Sequence, residues 1–142
     1  MATSSSKLII IRGLPGSGKS TFAKTLLGPA RMGDTYMAHI EADMFFVVNG
    51  EYCYDGMKIG EAHHWCREAT RNYLNAGYNV IVSNTFTRMK EMAPYLEMAK
   101  ELDCELVVYR CAGNYGSIHG IPDRVMENMR GRFVDFEGEI FV

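Results

Sequence analysis

The sequence predicts a three-layer α/β fold, in which a parallel sheet of four to five strands carries helices on both faces. The apolar run Leu8–Ile11 leads through a glycine-rich loop into a helical pattern, which is the order of a strand, loop and helix unit. Further apolar runs then alternate with helical patterns, as in parallel sheets with right-handed crossovers. With 142 residues, of which 47% are hydrophobic, we expect one domain over residues 1–142.

The glycine-rich loop at residues 13–20 has the pattern Gly-x-x-x-x-Gly-Lys-Ser, which is a phosphate-binding loop (P-loop). Its glycines let the backbone approach a polyphosphate and point N–H groups at the oxygens. Lys19 supplies a cation for the β- and γ-phosphates, and Ser20 supplies a hydroxyl for Mg²⁺. We therefore expect a P-loop NTPase fold that binds ATP and Mg²⁺ through Gly13, Pro15, Gly16, Ser17, Gly18, Lys19, Ser20 and Thr21.

The next elements follow from hydrophobic periodicity. Residues 35–41 alternate as a second strand, and Asp43 lies at its carboxyl end. Residues 45–56 contain two glycines and several aromatic side chains, so we expect an irregular, partly exposed segment. Residues 58–76 carry an apolar stripe at helical spacing, and residues 79–85 form a third strand that ends at Asn84 and Thr85.

Two helices and two strands complete the prediction. Met92, Leu96, Ala99 and Leu102 mark a helix in which Pro94 lies in the first turn or kinks the entry, because a deeper proline should break it. Residues 104–110 read as a fourth strand. The final segments are a helix opened by Pro122 and ended or frayed by Gly131, and a short edge strand at residues 139–142.

Composition limits the function. A net charge of −2 and a pI near 6.1 exclude the global positive field of proteins that coat long nucleic acids. No apolar run approaches the roughly 20 residues that span a bilayer, so we expect no membrane contact and a cytoplasmic protein. The cysteines do not have metal-site spacing and are expected to be reduced thiols: Cys53, Cys66, Cys104 and Cys111.

Ligands of parallel α/β sheets bind beyond the carboxyl ends of the strands, so we expect the P-loop, Asp43 and Asn84 to share one cleft. Asp43 is the candidate general base for a hydroxyl that receives the γ-phosphate, unless it only caps a helix or turn. Glu41 is its nearby rival. Asn84 and Thr85 are candidate substrate or water ligands, and the alternative for Asn84 is capping of the following turn with Thr85 or Thr87.

Phosphoryl transfer also needs a cation near the transferring group. Arg88 and Arg124 are the first candidates, Arg130 and Arg132 are others, and for each of them a solvated surface position is the alternative. The glycine-rich segment 111–121 is the candidate lid, within which His119 is a candidate phosphate contact.

Four motifs resemble those of P-loop kinases and ATPases of the phage polynucleotide-kinase-like family, in particular its small single-domain members. They are residues 13–20, Glu41-Ala42-Asp43, Val82-Ser83-Asn84-Thr85 and His119-Gly120-Ile121-Pro122. The resemblance implies ATP-dependent phosphorylation of a hydroxyl, with the 5′-hydroxyl of a nucleic acid as acceptor and Asp43 as general base. For a phage protein, it also implies the host cytoplasm.

The chain departs from this family at the acceptor side. The family carries an arginine three positions after the base and basic residues in the lid, whereas this chain has Phe46 and no Arg or Lys in 113–118; Phe86 replaces an Asn. Two alternatives therefore stay open. One is a nucleotide or other small-molecule kinase, and the other is an ATP-binding protein that acts on a host partner through residues 45–54. The sequence leaves the oligomeric state open as well.

Overall fold

A computed structural model describes residues 6–27, 36–115 and 120–142. The strands are β1 (Lys7–Arg12), β2 (Met37–Ile40), β3 (Val47–Val48), β4 (Glu51–Tyr52), β5 (Asn79–Asn84), β6 (Glu105–Arg110) and β7 (Ile140–Phe141). The α-helices are α1 (Lys19–Leu27), α2 (Ile59–Asn75), α3 (Met89–Glu101) and α4 (Asp123–Arg132), and short 3₁₀ helices span Ala42–Phe46 and Gly56–Lys58. Five strands form one parallel sheet in the order β2-β5-β1-β6-β7. The predicted three-layer P-loop fold is confirmed.

Strand β1 lies at the centre of the sheet because both of its edges are paired, with β5 and with β6. Its side chains alternate between the two faces. Leu8 and Ile10 pack in the core beneath α2 and α3, whereas Ile9 and Ile11 pack against α1. This central position brings the loop after β1 to the middle of the carboxyl edge of the sheet.

The structure tests two expectations, one about the strand in the tail and one about the position of Pro94. The edge strand in the tail is confirmed, since β7 pairs parallel with β6. The position of Pro94 is wrong by one turn, because it is the sixth residue of α3. A proline there removes the hydrogen bond to the carbonyl of Lys90, four residues earlier, and Lys90 is exposed to water. The helix therefore continues.

The segment after β2 is more regular than expected. It begins with the 3₁₀ helix Ala42–Phe46 and continues into the β3–β4 hairpin, in which Val48 pairs with Glu51. Asn49 and Gly50 have φ of 53° and 80°, the positive values that a type I′ turn requires. The dipeptide Asn-Gly is a strong signal for a hairpin, and the apolar residues that precede it are visible in the sequence.

None of the helices in the described ranges is both long and apolar enough to cross a membrane. The four cysteines are free thiols, as their spacing predicted.

Candidate active site

A cleft of about 1760 Å³ lies at the carboxyl edge of the sheet. It brings together most of the side chains that the sequence singled out from the P-loop, the end of β2 and the end of β5. They are Pro15, Gly16, Ser17, Gly18, Lys19, Ser20, Thr21, Asp43, Asn84 and Thr85. Because these residues come from three separate segments, the cleft is a product of the parallel topology.

The P-loop has a backbone shape that side chains would obstruct. Gly16 and Gly18 have φ of 79° and 95°. At Gly13, a Cβ would lie 2.4 Å from Ser17 Oγ and 2.7 Å from the carbonyl oxygen of Cys111. The Ser17 hydroxyl is buried and has no hydrogen-bond partner within the described residues. The glycines leave the backbone of this loop unobstructed, and the buried hydroxyl lacks a partner among the described residues. Both properties suit an anionic ligand.

Lys19 lies over its own loop, where Nζ donates a 3.0 Å hydrogen bond to the carbonyl of Leu14. Burial lowers the pKa of Lys19, and the carboxylates of Glu41 and Asp43 partly oppose that effect. The ammonium is thus held near the cleft by a neutral acceptor, which a phosphate oxygen can replace at little cost.

Glu41 is a carboxylate of the cleft that accepts hydrogen bonds from two serines. Its Oε2 accepts from Ser20 Oγ at 2.5 Å and from Ser83 Oγ at 2.7 Å, and it lies 3.4 Å from Nε2 of His39. Burial alone would raise its pKa, but the hydrogen bonds from His39, Ser20 and Ser83 prevail and lower the pKa to about 2. Glu41 therefore carries a fixed negative charge beside the P-loop serine.

The sequence favoured Asp43 over Glu41 as the general base and left the orientation of the Glu41 side chain open. The available signal was the alternation around Ile40: Ile40 is buried in the core, so His39 and Glu41 lie on the opposite side of β2. Hydroxyl and carboxylate oxygens are the ligands that Mg²⁺ prefers, and the Ser20–Glu41 pair provides both.

Asp43 lies in the 3₁₀ helix Ala42–Phe46 and is exposed in the cleft. Tyr52 Oη donates to Asp43 Oδ1 at 3.4 Å, so the β3–β4 hairpin reaches back to the carboxylate. Burial, together with the charge of Asp43, raises the pKa of Tyr52 to about 12. Tyr52 thus remains a protonated donor toward Asp43 at neutral pH.

Asn84 connects two of the segments that line the cleft. Its Oδ1 accepts from the backbone N–H of Ala42 at 2.9 Å, and its Nδ2 donates to Sγ of Cys66 at 3.6 Å. This side chain therefore fixes the start of the 3₁₀ helix that carries Asp43. The cap of the following turn is made instead by Glu91, which accepts from the N–H of Thr87 at 2.8 Å.

Thr85 contributes its backbone, since its carbonyl accepts from the N–H of Gly13 at 3.2 Å. This hydrogen bond joins the end of β5 to the first residue of the P-loop. His119 lies outside the described residues.

The arginines are distributed differently from expectation. Arg88 pairs with Glu91 at 3.5 Å and Arg124 is exposed on α4; within the described part of the chain, neither lines the cleft. Arg67 and Arg132 do line it, and Arg132 Nε donates to Thr87 Oγ1 at 3.2 Å. Arg67 was not among the sequence candidates. Its spacing of four residues from His63, another residue of the cleft, was the available signal.

The sequence profile described as "AAA domain" matches residues 8–114, which run from β1 to the loop after β6. This chain belongs to the AAA domain family. In this AAA domain the match includes the P-loop, Glu41, Asp43 and Asn84, and it ends before α4.

A relative of this AAA domain is the human NEDD4-binding protein 2, with 34% identity over 95 residues. The aligned region is 66% of the present chain but only 5% of the length of that relative.

Three solved structures share the fold of this AAA domain. Kti12 of Chaetomium thermophilum in complex with ADP-AlF3 has a TM-score of 0.73 at 15% identity, covering 95% of this chain and 88% of Kti12. A chain of the Pnkp1/Rnl/Hen1 RNA repair complex has a TM-score of 0.69 at 19% identity, covering 93% of this chain and 45% of that chain. The APS kinase CysC of Mycobacterium tuberculosis has a TM-score of 0.62 at 14% identity, covering 92% and 98%. The chain therefore has a P-loop kinase-like fold.

Proposed function

We propose that this protein is an ATP-dependent kinase of the polynucleotide-kinase type, which transfers the γ-phosphate of ATP to the 5′-hydroxyl of a nucleic acid. The observation that carries the proposal is that Lys19 of the P-loop and the carboxylate of Asp43 line the same cleft. A phosphate-holding cation and a carboxylate that can accept a hydroxyl proton are the two groups that hydroxyl phosphorylation needs. The fold shared with an APS kinase and with the RNA repair complex supports the reaction class.

The reaction needs one proton acceptor and one leaving group. The acceptor oxygen forms a bond to the γ-phosphorus, while the bond from that phosphorus to the oxygen bridging to the β-phosphate breaks, and ADP leaves. Asp43 takes the proton of the attacking hydroxyl. Lys19 holds the phosphate oxygens with the backbone N–H groups of the P-loop. Asn84 positions Asp43 through the N–H of Ala42.

The residues that would hold Mg²⁺ are Ser20, through its hydroxyl, and Glu41, through water. Both fit a hard cation, because a hydroxyl and an ionised carboxylate are already within 2.5 Å of each other. When bound, Mg²⁺ would supply positive charge to the β- and γ-phosphates. The amide of Asn84, at the end of β5, cannot supply the negative charge that Glu41 supplies from β2.

The cleft also provides cations for the transferring group. Arg67 and Arg132 line it, so we assign to them the role for which Arg88 and Arg124 were the first candidates in the sequence and Arg132 a further one. They would compensate for Phe46, which stands where the polynucleotide-kinase family carries an arginine.

The direct test is transfer of label from γ-labelled ATP, with Mg²⁺, to 5′-hydroxyl DNA, 5′-hydroxyl RNA, nucleosides and nucleoside monophosphates. We expect label on the oligonucleotides, loss of transfer in Lys19→Ala and Asp43→Asn, and retained ATP binding in Asp43→Asn. Asp123→Asn, an exposed aspartate on α4, is the matched control and should remain active. If the wild type binds ATP but labels no acceptor, the kinase proposal fails for these acceptors, and an ATP-binding protein with a protein partner becomes the next hypothesis to test.

A nucleotide or other small-molecule kinase is the second candidate. The net charge of −2 favours it, because a long polyanion gains little from the field of such a protein. In the same experiment, label confined to nucleosides or nucleoside monophosphates would establish this candidate in place of the first.

A further inference from the structure

Three aromatic side chains form an ordered group beside Asp43. Tyr52 and Tyr54 have ring planes only 21° apart with centroids 6.4 Å apart. Phe46, which is 3% exposed, packs beneath both: its ring centroid lies 5.1 Å from that of Tyr54 and 6.4 Å from that of Tyr52. We call the two rings on this buried support the tyrosine platform.

The backbone fixes the tyrosine platform. The β3–β4 hairpin carries Tyr52, and the N–H of Cys53 donates a 2.7 Å hydrogen bond to the carbonyl of Phe46. This bond connects the residue that supplies the supporting ring with the residue between the two tyrosines. The platform is therefore set in place before a ligand arrives, which reduces the entropy cost of binding.

The tyrosine platform faces the acceptor side of the cleft. Both tyrosines line the same cleft as the P-loop, and Tyr52 Oη lies 3.4 Å from Asp43 Oδ1. Tyr115, by contrast, lies on the P-loop itself: its N–H donates to the carbonyl of Gly16 at 2.7 Å, and its ring would lie 3.1 Å from a Cβ at Gly18. The platform thus belongs to the half of the cleft where the attacking hydroxyl meets Asp43.

The two platform rings remain accessible, with Tyr52 38% and Tyr54 58% exposed. Exposed aromatic rings in a fixed orientation suit a flat, weakly polar ligand, because stacking removes apolar surface on both sides from water. Nucleobases are such ligands, and stacking on an aromatic side chain tolerates every base.

We propose that the tyrosine platform binds the nucleobase of the acceptor's terminal nucleotide and thereby brings the hydroxyl of its sugar to Asp43. This inference rests on the proposed kinase function and narrows its acceptor to molecules that carry a base. It also assigns substrate binding to the segment around Phe46, the position at which the polynucleotide-kinase family has an arginine on the acceptor side.

The kinetic test compares Tyr54→Ala, Tyr54→Trp and Tyr36→Ala with the wild type, using a 5′-hydroxyl oligonucleotide and the same oligonucleotide with an abasic terminal nucleotide. Tyr36 is an exposed tyrosine outside the cleft and serves as the matched control. We expect Tyr54→Ala to raise the KM for the normal acceptor about ten-fold, with kcat and the KM for ATP little changed, because one stacked base contributes roughly that factor. Tyr54→Trp should restore the KM. On the abasic acceptor, the wild type and Tyr54→Ala should have equal KM values.

A binding test separates this inference from the proposed function. A 5′-hydroxyl oligonucleotide with terminal 2-aminopurine should lose fluorescence on binding to the wild type and to Asp43→Asn, but not to Tyr54→Ala. Quenching without any phosphate transfer would retain the platform and reject the kinase. Transfer with equal KM values in the wild type and Tyr54→Ala would retain the kinase and overturn the platform. Absence of quenching in the wild type would overturn the platform as well, and would favour a protein as the ligand of this surface.

Discussion

The guanidinium of Arg12 donates two hydrogen bonds to the carbonyl of Phe86, from Nε at 3.1 Å and from Nη2 at 2.7 Å. Phe86 has φ of 48°, a left-handed conformation that is unfavourable for a bulky residue. Its ring is 3% exposed and packs edge-on against Tyr95 at 5.4 Å. The arginine that precedes the P-loop therefore holds a strained peptide at the end of β5.

Arg12 is fully buried and also pairs with Glu139 at 2.8 Å. We expect Arg12→Met or Glu139→Gln to lower the free energy of unfolding by about 3–5 kcal/mol. Arg12→Met removes the two hydrogen bonds to Phe86 and leaves Glu139 with Arg110 as its remaining ion-pair partner among the described residues, whereas Glu139→Gln leaves the buried guanidinium of Arg12 without a carboxylate. The double variant should be less destabilised than the sum of the two, as measured by urea unfolding. Arg71→Met, which removes an exposed pair with Glu101, is the control and should cost less than about 1 kcal/mol. Strict additivity would contradict the coupling.

Glu41 should make stability depend on pH in the acidic range. Its pKa is lowered from 4.5 to about 2, so its contribution is complete above pH 4.5 and is lost as the pH falls through 2. The shift corresponds to a contribution on the order of 3 kcal/mol. The free energies of unfolding of the wild type and Glu41→Gln, measured with denaturant, should differ by a constant amount between about pH 5 and pH 8. They should converge at about pH 2. A difference that persists unchanged at low pH would argue against an ionised Glu41.

Asn84 is expected to act on Asp43 through the backbone. Asn84→Ala leaves the N–H of Ala42 without its acceptor, at a cost of about 1–3 kcal/mol of unfolding free energy. With the start of the 3₁₀ helix released, kcat should fall while the KM for ATP stays near its original value, because the P-loop is untouched. Asn75→Ala, at the exposed end of α2, should change neither quantity. An increased KM for ATP with unchanged kcat would place Asn84 in nucleotide binding instead.

The turn of the β3–β4 hairpin can be tested by conformation alone. Gly50→Val forces a β-branched residue to a φ of 80°, at a cost of about 1–3 kcal/mol. We expect faster amide exchange in β3 and β4 and a higher KM for the acceptor, but unchanged ATP binding. Asn49→Gly keeps the type I′ geometry and should behave like the wild type. Equal exchange rates in both variants would show that the turn does not determine the hairpin.

Arg67 and Arg132 differ in position from Arg88 and Arg124, because, in the described part of the chain, only the first two line the cleft. Removing a cation from a phosphoryl-transfer site commonly costs about 100-fold in kcat, so we expect such losses for Arg67→Ala and Arg132→Ala. Arg88→Ala and Arg124→Ala should stay within about two-fold, since exposed arginines outside the cleft contribute little. Thermal unfolding of each variant distinguishes a catalytic loss from misfolding. Full activity of both cleft variants would return the role to Arg88 or Arg124.

Much of the fold could be predicted because it is encoded by short-range patterns. The apolar run of β1, the glycines of the P-loop and the helical stripe of α2 each involve residues close in the chain. The type I′ turn at Asn49-Gly50 is also encoded by adjacent residues, although an irregular segment was expected there. The convergence of Asp43, Asn84 and the P-loop was also predictable, since parallel strands bring their carboxyl ends to one edge.

The sequence by itself thus determined the P-loop, the order of strands and helices, and the edge of the sheet at which the cleft lies. Only the tertiary structure decided how the side chains of that edge divide their roles. Glu41 meets Ser20 across 21 positions and Ser83 across 42, and Arg12 meets Glu139 across 127. Such contacts depend on burial and on the exact placement of whole elements, which no local pattern of residues specifies. For the same reason, Arg67 became apparent as a residue of the cleft only after α2 was placed beside it.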